Sequence, residues 1–90
     1  MEEIRKQYLA LLSEIIAKEA IILGPDIAIL KARSAAGLVV DKNWNVSDIK
    51  GDEVQTLQKL VYGYAELSGQ VTKNVIDSIF EKYPQIKKVY

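Results

Sequence analysis

Gly37-Leu38-Val39-Val40-Asp41-Lys42-Asn43-Trp44-Asn45-Val46-Ser47-Asp48-Ile49-Lys50-Gly51-Asp52 is the stretch whose reading decides the fold. A glycine stop, a β-branched run, a cluster of turn formers and a second short run read as a small hairpin over about residues 38–50. Helical periodicity lies on both sides of it. The chain is therefore expected to be mostly α with a small β element, an α+β fold in the order α-α-β-β-α-α, with residues 1–90 forming a single domain.

Upstream of the hairpin, Ile4, Tyr8, Leu11, Leu12, Ile15, Ile16, Ile22 and Leu23 recur at helical spacing and predict a first helix over about 2–23 with one buried stripe. Glu2 with Lys6 and Glu14 with Lys18 stand four residues apart in the favourable order for ion pairs on a solvated face. Gly24 stops this helix, and Pro25 suits the first turn of the next because its missing N–H would be unpaired there anyway. The second helix, about 25–36, carries Ala28, Ala32 and Ala36 in a row, with Ile27, Ile29 and Leu30 around its start. Small residues in a row admit a close neighbour, so this helix is expected to be central, its alanines lining either the core or a dimer seam.

Downstream, Asp52 with Gln55 forms a capping-box-like start to a third helix over about 53–67. Val54, Leu57, Leu60, Val61, Tyr64 and Leu67 are expected to face inward. Ser68-Gly69 breaks the helix, and a fourth follows over about 70–83 that buries Val71, Val75, Ile76, Ile79, Phe80 and Tyr83 until Pro84 ends it. No internal repeat or low-complexity tract is visible.

Twelve basic and 12 acidic residues cancel, which leaves no net field to attract nucleic acid or an anionic membrane. With no Cys and no His, the chain lacks disulfides, thiolate nucleophiles, the usual zinc ligands and imidazole acid–base chemistry. The start, Met1-Glu2-Glu3, followed by recurring charges, reads as neither a leader nor a membrane span, so a cytoplasmic protein is expected. The Asn45-Val46-Ser47 sequon is then without consequence. Abundant Lys, Glu and Ile without Cys suggest a thermophilic source. The chain is 49% hydrophobic with a mean hydropathy of zero, high for so short a soluble protein, and this points to a homodimer.

Asp41, Asn43, Asn45, Ser47 and Asp52 follow the alternating oxygen-ligand spacing of a calcium-binding loop. The match fails where Val46 replaces the turn glycine, where Asp48 replaces an apolar residue, and where the last ligand is the short Asp52. A turn followed by a helix cap accounts for the same residues, and neither a metal nor a cofactor is expected. The carboxylate pairs Glu2/Glu3 and Asp52/Glu53 sit at helix starts, where the macrodipole favours negative charge without any catalytic role. Lys31, Arg33, Lys42 and Lys50 are interleaved with acidic residues around the hairpin, a weak basis for binding nucleic acid.

Trp44 at the hairpin tip is either an anchor for a partner or a plug over the helices. Tyr62, beside Gly63 on the polar face of the third helix, suits an interface. The tail Ile86-Lys87-Lys88-Val89-Tyr90 is apolar enough to lie on its own core, pair as a short strand or dock on a neighbour. The expected function is that of a small homodimeric protein–protein interaction module, regulatory or adaptor in role and not an enzyme. Its contact residues are expected among Tyr8, Trp44, Tyr62, Tyr90 and the Ala28/Ala32/Ala36 row. The alternatives are a small-ligand sensor with an apolar pocket gated by the hairpin and, third, a weak nucleic-acid binder.

Overall fold

Residues 2–35 and 37–88 are described by a computed structural model. It contains α1 (Glu2–Leu23), α2 (Pro25–Ser34), β1 (Leu38–Val40), β2 (Val46–Ile49), α3 (Glu53–Ser68) and α4 (Gln70–Phe80), the mostly helical α-α-β-β-α-α order read from the sequence. The punctuation residues act as expected. Gly24 donates its N–H to the Ala20 carbonyl and accepts from Ala28, so one glycine closes α1 and opens α2, with Pro25 in the first turn. The Asp52 side chain accepts the Gln55 N–H at 2.9 Å and caps α3.

A single core fills the space between the helices. Leu11, Leu12, Ile15 and Ile16 of α1 meet Ala28 and Ala32 of α2, Leu57, Leu60, Val61 and Tyr64 of α3, and Ile76, Ile79 and Phe80 of α4. The radius of gyration, 11.7 Å, is about that of a compact chain of this length. The hairpin closes one side of the core with Leu38, Val46 and Ile49. Its antiparallel register pairs Leu38 with Ile49 and Val39 with Asp48, then slips so that Val40 pairs with Val46. α1 holds β2 in place, because Arg5 donates to the Asp48 carboxylate and to the Ile49 carbonyl at 2.7 Å, and Ser13 Oγ accepts the Val46 N–H at 2.8 Å.

Several apolar assignments shift. Val71, expected inside, is 53% exposed, while the polar Thr72 is buried in its place. The difference is confined to the first turn of α4, where Thr72 donates to the buried Glu19 carboxyl of α1 at 3.0 Å; Ile76, Ile79 and Phe80 face inward as their pattern predicts. Val54 and Leu67, also expected inside, lie near the two ends of α3 and are exposed. α2 ends at Ser34 and α4 at Phe80, both earlier than their apolar patterns run. Glu14 turns away from its own helix face and meets Lys82 at 3.3 Å and the Tyr83 hydroxyl at 3.0 Å, binding the end of α4 to α1.

Candidate functional site

The third helix places Val54, Gln58 and Tyr62 at four-residue steps, so one edge of α3 presents an apolar, an amide and a phenolic group in line. Tyr8 of α1 stands opposite. The segment after α4 forms the remaining wall, and the contacts that fix it there are specific. Gln85 accepts from Gln7 at 3.1 Å, Ile86 is buried in the core, and Lys88 reaches Asp77 at 3.0 Å. Together Tyr8, Val54, Gln58, Tyr62, Gln85, Lys87 and Lys88 line an open groove of about 570 Å3. The tail is therefore a structural wall of its own molecule up to Lys88, and Tyr90 lies outside the described residues.

Charge varies along this groove. At the Tyr8 end, burial raises the Tyr8 hydroxyl above its ordinary pKa, and the nearby Glu53 and Asp52 carboxylates push it further the same way. Lys87 and Lys88 also line the groove, and Lys88 is paired with Asp77 at 3.0 Å.

The other residues singled out from the sequence do not join this groove. Ala28 and Ala32 are buried in the core of the single chain; Ala36 lies outside the described residues. Trp44 is half-buried and packs against the core. Asp41 Oδ1 accepts the N–H groups of Asn43 at 2.8 Å and Asn45 at 3.0 Å. Ser47 Oγ donates to Val39 at 3.4 Å across the hairpin, and Asp52 caps α3. These five residues are spread over a turn, a strand and a helix cap, and among the described residues no group of three or more acidic side chains gathers. Lys31 runs its stem alongside Gly63, where a Cβ would sit 3.8 Å away.

Sequence reading missed Glu19. It is 0% exposed, its Oε1 accepts from Thr72 at 3.0 Å and Ser68 at 3.4 Å, and its Oε2 is buried with no hydrogen-bond partner. Burial raises its pKa, and the two hydroxyls pull it partly back. The neighbouring Tyr64 donates to the Ala28 carbonyl at 2.7 Å, and burial, then the Glu19 charge, pushes its hydroxyl far up. Only the spacing of Ile15, Ile16, Glu19 and Leu23 on one helix face hinted that a carboxyl points inward.

Compared with protein-family models, curated proteins and solved structures, the chain matches none. Its class is defined by its own architecture, a small helical α+β domain with an open aromatic groove on one side and a buried carboxyl among its helices. No helix among the described residues is long and apolar enough to cross a membrane.

Proposed function

We propose that this protein is a contact module, which pairs with a second copy of itself and serves a regulatory or adaptor role through the groove between Tyr8 and Tyr62. The observation that carries this reading is the make-up of the surface. The core closes without them, yet Ile21, Ile27, Leu30, Val54, Tyr62, Leu67 and Val71 stay between 42% and 79% exposed. The total accessible surface, 5338 Å2, is about what a folded chain of 10.1 kDa exposes, so the chain is compact and its outer face is rich in apolar groups.

Leu30 lies on the side of α2 opposite Ala28 and Ala32, a broad helix face that supports the self-pairing half of the proposal. Multi-angle light scattering at two concentrations tests it. A mass of twice 10.1 kDa is expected for the wild type, and Leu30→Lys is expected to return it to 10.1 kDa with unchanged helical circular dichroism. A wild-type mass of 10.1 kDa at the highest concentration attainable would refute the pairing.

A second reading, a small-ligand sensor, is favoured by one feature, since the groove volume falls within the range of ligand sites. None of the hairpin residues lines it, so tryptophan emission is a poor reporter. Metabolite-induced shifts of the Gln58 and Gln85 side-chain amide resonances would favour this reading, and their constancy would remove it.

A further inference from the structure

The Glu19 carboxyl occupies an unusual place. It projects from the last turns of α1 onto the joint between α3 and α4, where Gly69 ends one helix and begins the next. Ser68 comes from the last residue of α3 and Thr72 from the first turn of α4, and their hydroxyls touch each other as well as Glu19 Oε1. One carboxyl therefore ties together three helices. Its second oxygen has neither water-exposed surface nor a protein donor. A buried carboxylate without a counter-charge is costly, whereas the neutral acid is tolerated.

Ionisable neighbours offer the charged form no relief. Glu19's neighbours one turn away on its own helix are Ile15, Ile16, Ile22 and Leu23. From α3 it meets Ser68, and Tyr64 lies close enough to feel its charge; from α4 it meets Thr72. Among the described residues the groups that act on it are the two hydroxyls, with no lysine or arginine.

We propose that Glu19 is a proton-controlled latch on the α3–α4 joint: while its carboxyl is protonated the joint stays closed, and ionisation releases α4 from α1. The proton leaves to water as the pH rises, and no other covalent bond changes. Opening turns Thr72 away and lets water reach both carboxyl oxygens, which is what the charged form needs. Gly69, at φ 54, supplies the pivot, a backbone conformation without a side chain to constrain it. The adjoining Leu67 and Val71 are already exposed, so the joint lies at an edge of the core, and its opening carries the inward Ile76, Ile79 and Phe80 of α4 with it.

The sign follows from linkage. The closed state holds one proton more than the open state between the ordinary glutamate range and the raised closed-state value, so the opening constant rises about tenfold per pH unit in that window. Hydrogen exchange read by NMR on the intact protein measures it. Protection factors of the Ile76, Ile79 and Phe80 amides, corrected for intrinsic exchange, are expected to fall about tenfold per pH unit in the wild type. They are expected to stay level in Glu19→Gln. In Thr72→Val, which removes a closed-state hydrogen bond that favours the charged form, the fall is expected to begin at the same pH and to continue to higher pH. Equal slopes in wild type and Glu19→Gln would overturn the latch. So would protection that depends on sodium rather than choline at equal ionic strength, since the orphaned oxygen would then be serving a cation. Glu19→Met, which needs no partner for its side chain, keeps the test open if Glu19→Gln does not fold. Its slope must also be level.

Discussion

Gly37 and Gly24 have almost the same backbone, φ +89 and +91, but different surroundings. A Cβ on Gly24 would meet nothing within 4 Å, whereas on Gly37 it would sit 2.2 Å from the Lys50 carbonyl oxygen. That carbonyl belongs to the residue whose N–H donates to the Gly37 oxygen at 2.6 Å, so the hairpin base cannot move aside without losing a bond. Gly24→Ala is expected to cost only its backbone strain, about 1–3 kcal/mol. Gly37→Ala should exceed that, at more than ~3 kcal/mol, by urea unfolding. Equal midpoints for the two would show that the close approach at Gly37 has no energetic weight. Both glycines announced themselves in the sequence as stops, but the tip of the hairpin did not. Trp44 takes φ 67, the left-handed place that ends a three-residue turn and normally goes to glycine. The Asp41 carboxylate, bonded to two N–H groups of the turn, and the packing of the indole on the core hold it there, and neither is legible from turn propensity alone.

Between elements, the junctions are made by side chains whose partners lie far away in sequence. Arg5 joins the start of α1 to the end of β2 through Asp48 and the Ile49 carbonyl, and stands 3.7 Å from Glu53 at the start of α3. Its hydrogen bond is the chief reason that the Asp48 carboxyl lies below the usual range, with the Ile49 N–H assisting. A depressed carboxyl contributes stability that is present above its unfolded value and is lost as the pH falls through its folded value. Arg5→Gln is therefore expected to lower the melting temperature at neutral pH and to flatten its decline into acid, as followed by circular dichroism. An unchanged acid limb in the variant would show that the Arg5–Asp48 contact has no weight in solution. Periodicity located α1 to α4 because their inward stripes are mostly aliphatic. It misread only the first turn of α4, where Thr72, a polar residue, holds the inward position that Val71 claims on hydrophobicity, while Ile76, Ile79 and Phe80 face inward as read. A hydrogen bond to a buried acid decided which of the two went inside, and that acid is 53 residues away.

At the scale of the molecule, the chain's closing stretch belongs to the core as much as the helices do. Ile86 is buried beside Phe80 and Tyr83 in the same cluster as α1, and the stretch around it is fastened by Gln7, Glu14 and Asp77 from two helices. From the sequence its apolar character is plain, but a tail that docks on its own molecule and one that docks on a neighbour have the same composition. The buried position of Ile86 distinguishes them up to Lys88. The groove was likewise only half legible: Tyr8 and Tyr62 stood out as aromatic residues, while Gln85, Lys87 and Lys88 join them only because the chain doubles back after Pro84. Shortening the chain to end at Pro84 is thus expected to destabilise the fold itself and to erase one wall of the groove. Ile86→Ala, which leaves the wall's polar residues in place, should cost about 2–5 kcal/mol through the cavity it leaves. Chemical unfolding of both variants, beside their masses in solution, separates the roles. Full stability in the shortened chain with loss of self-association would place the tail on a neighbouring copy instead, whereas lost stability in both fixes Ile86 as part of the protein's own interior.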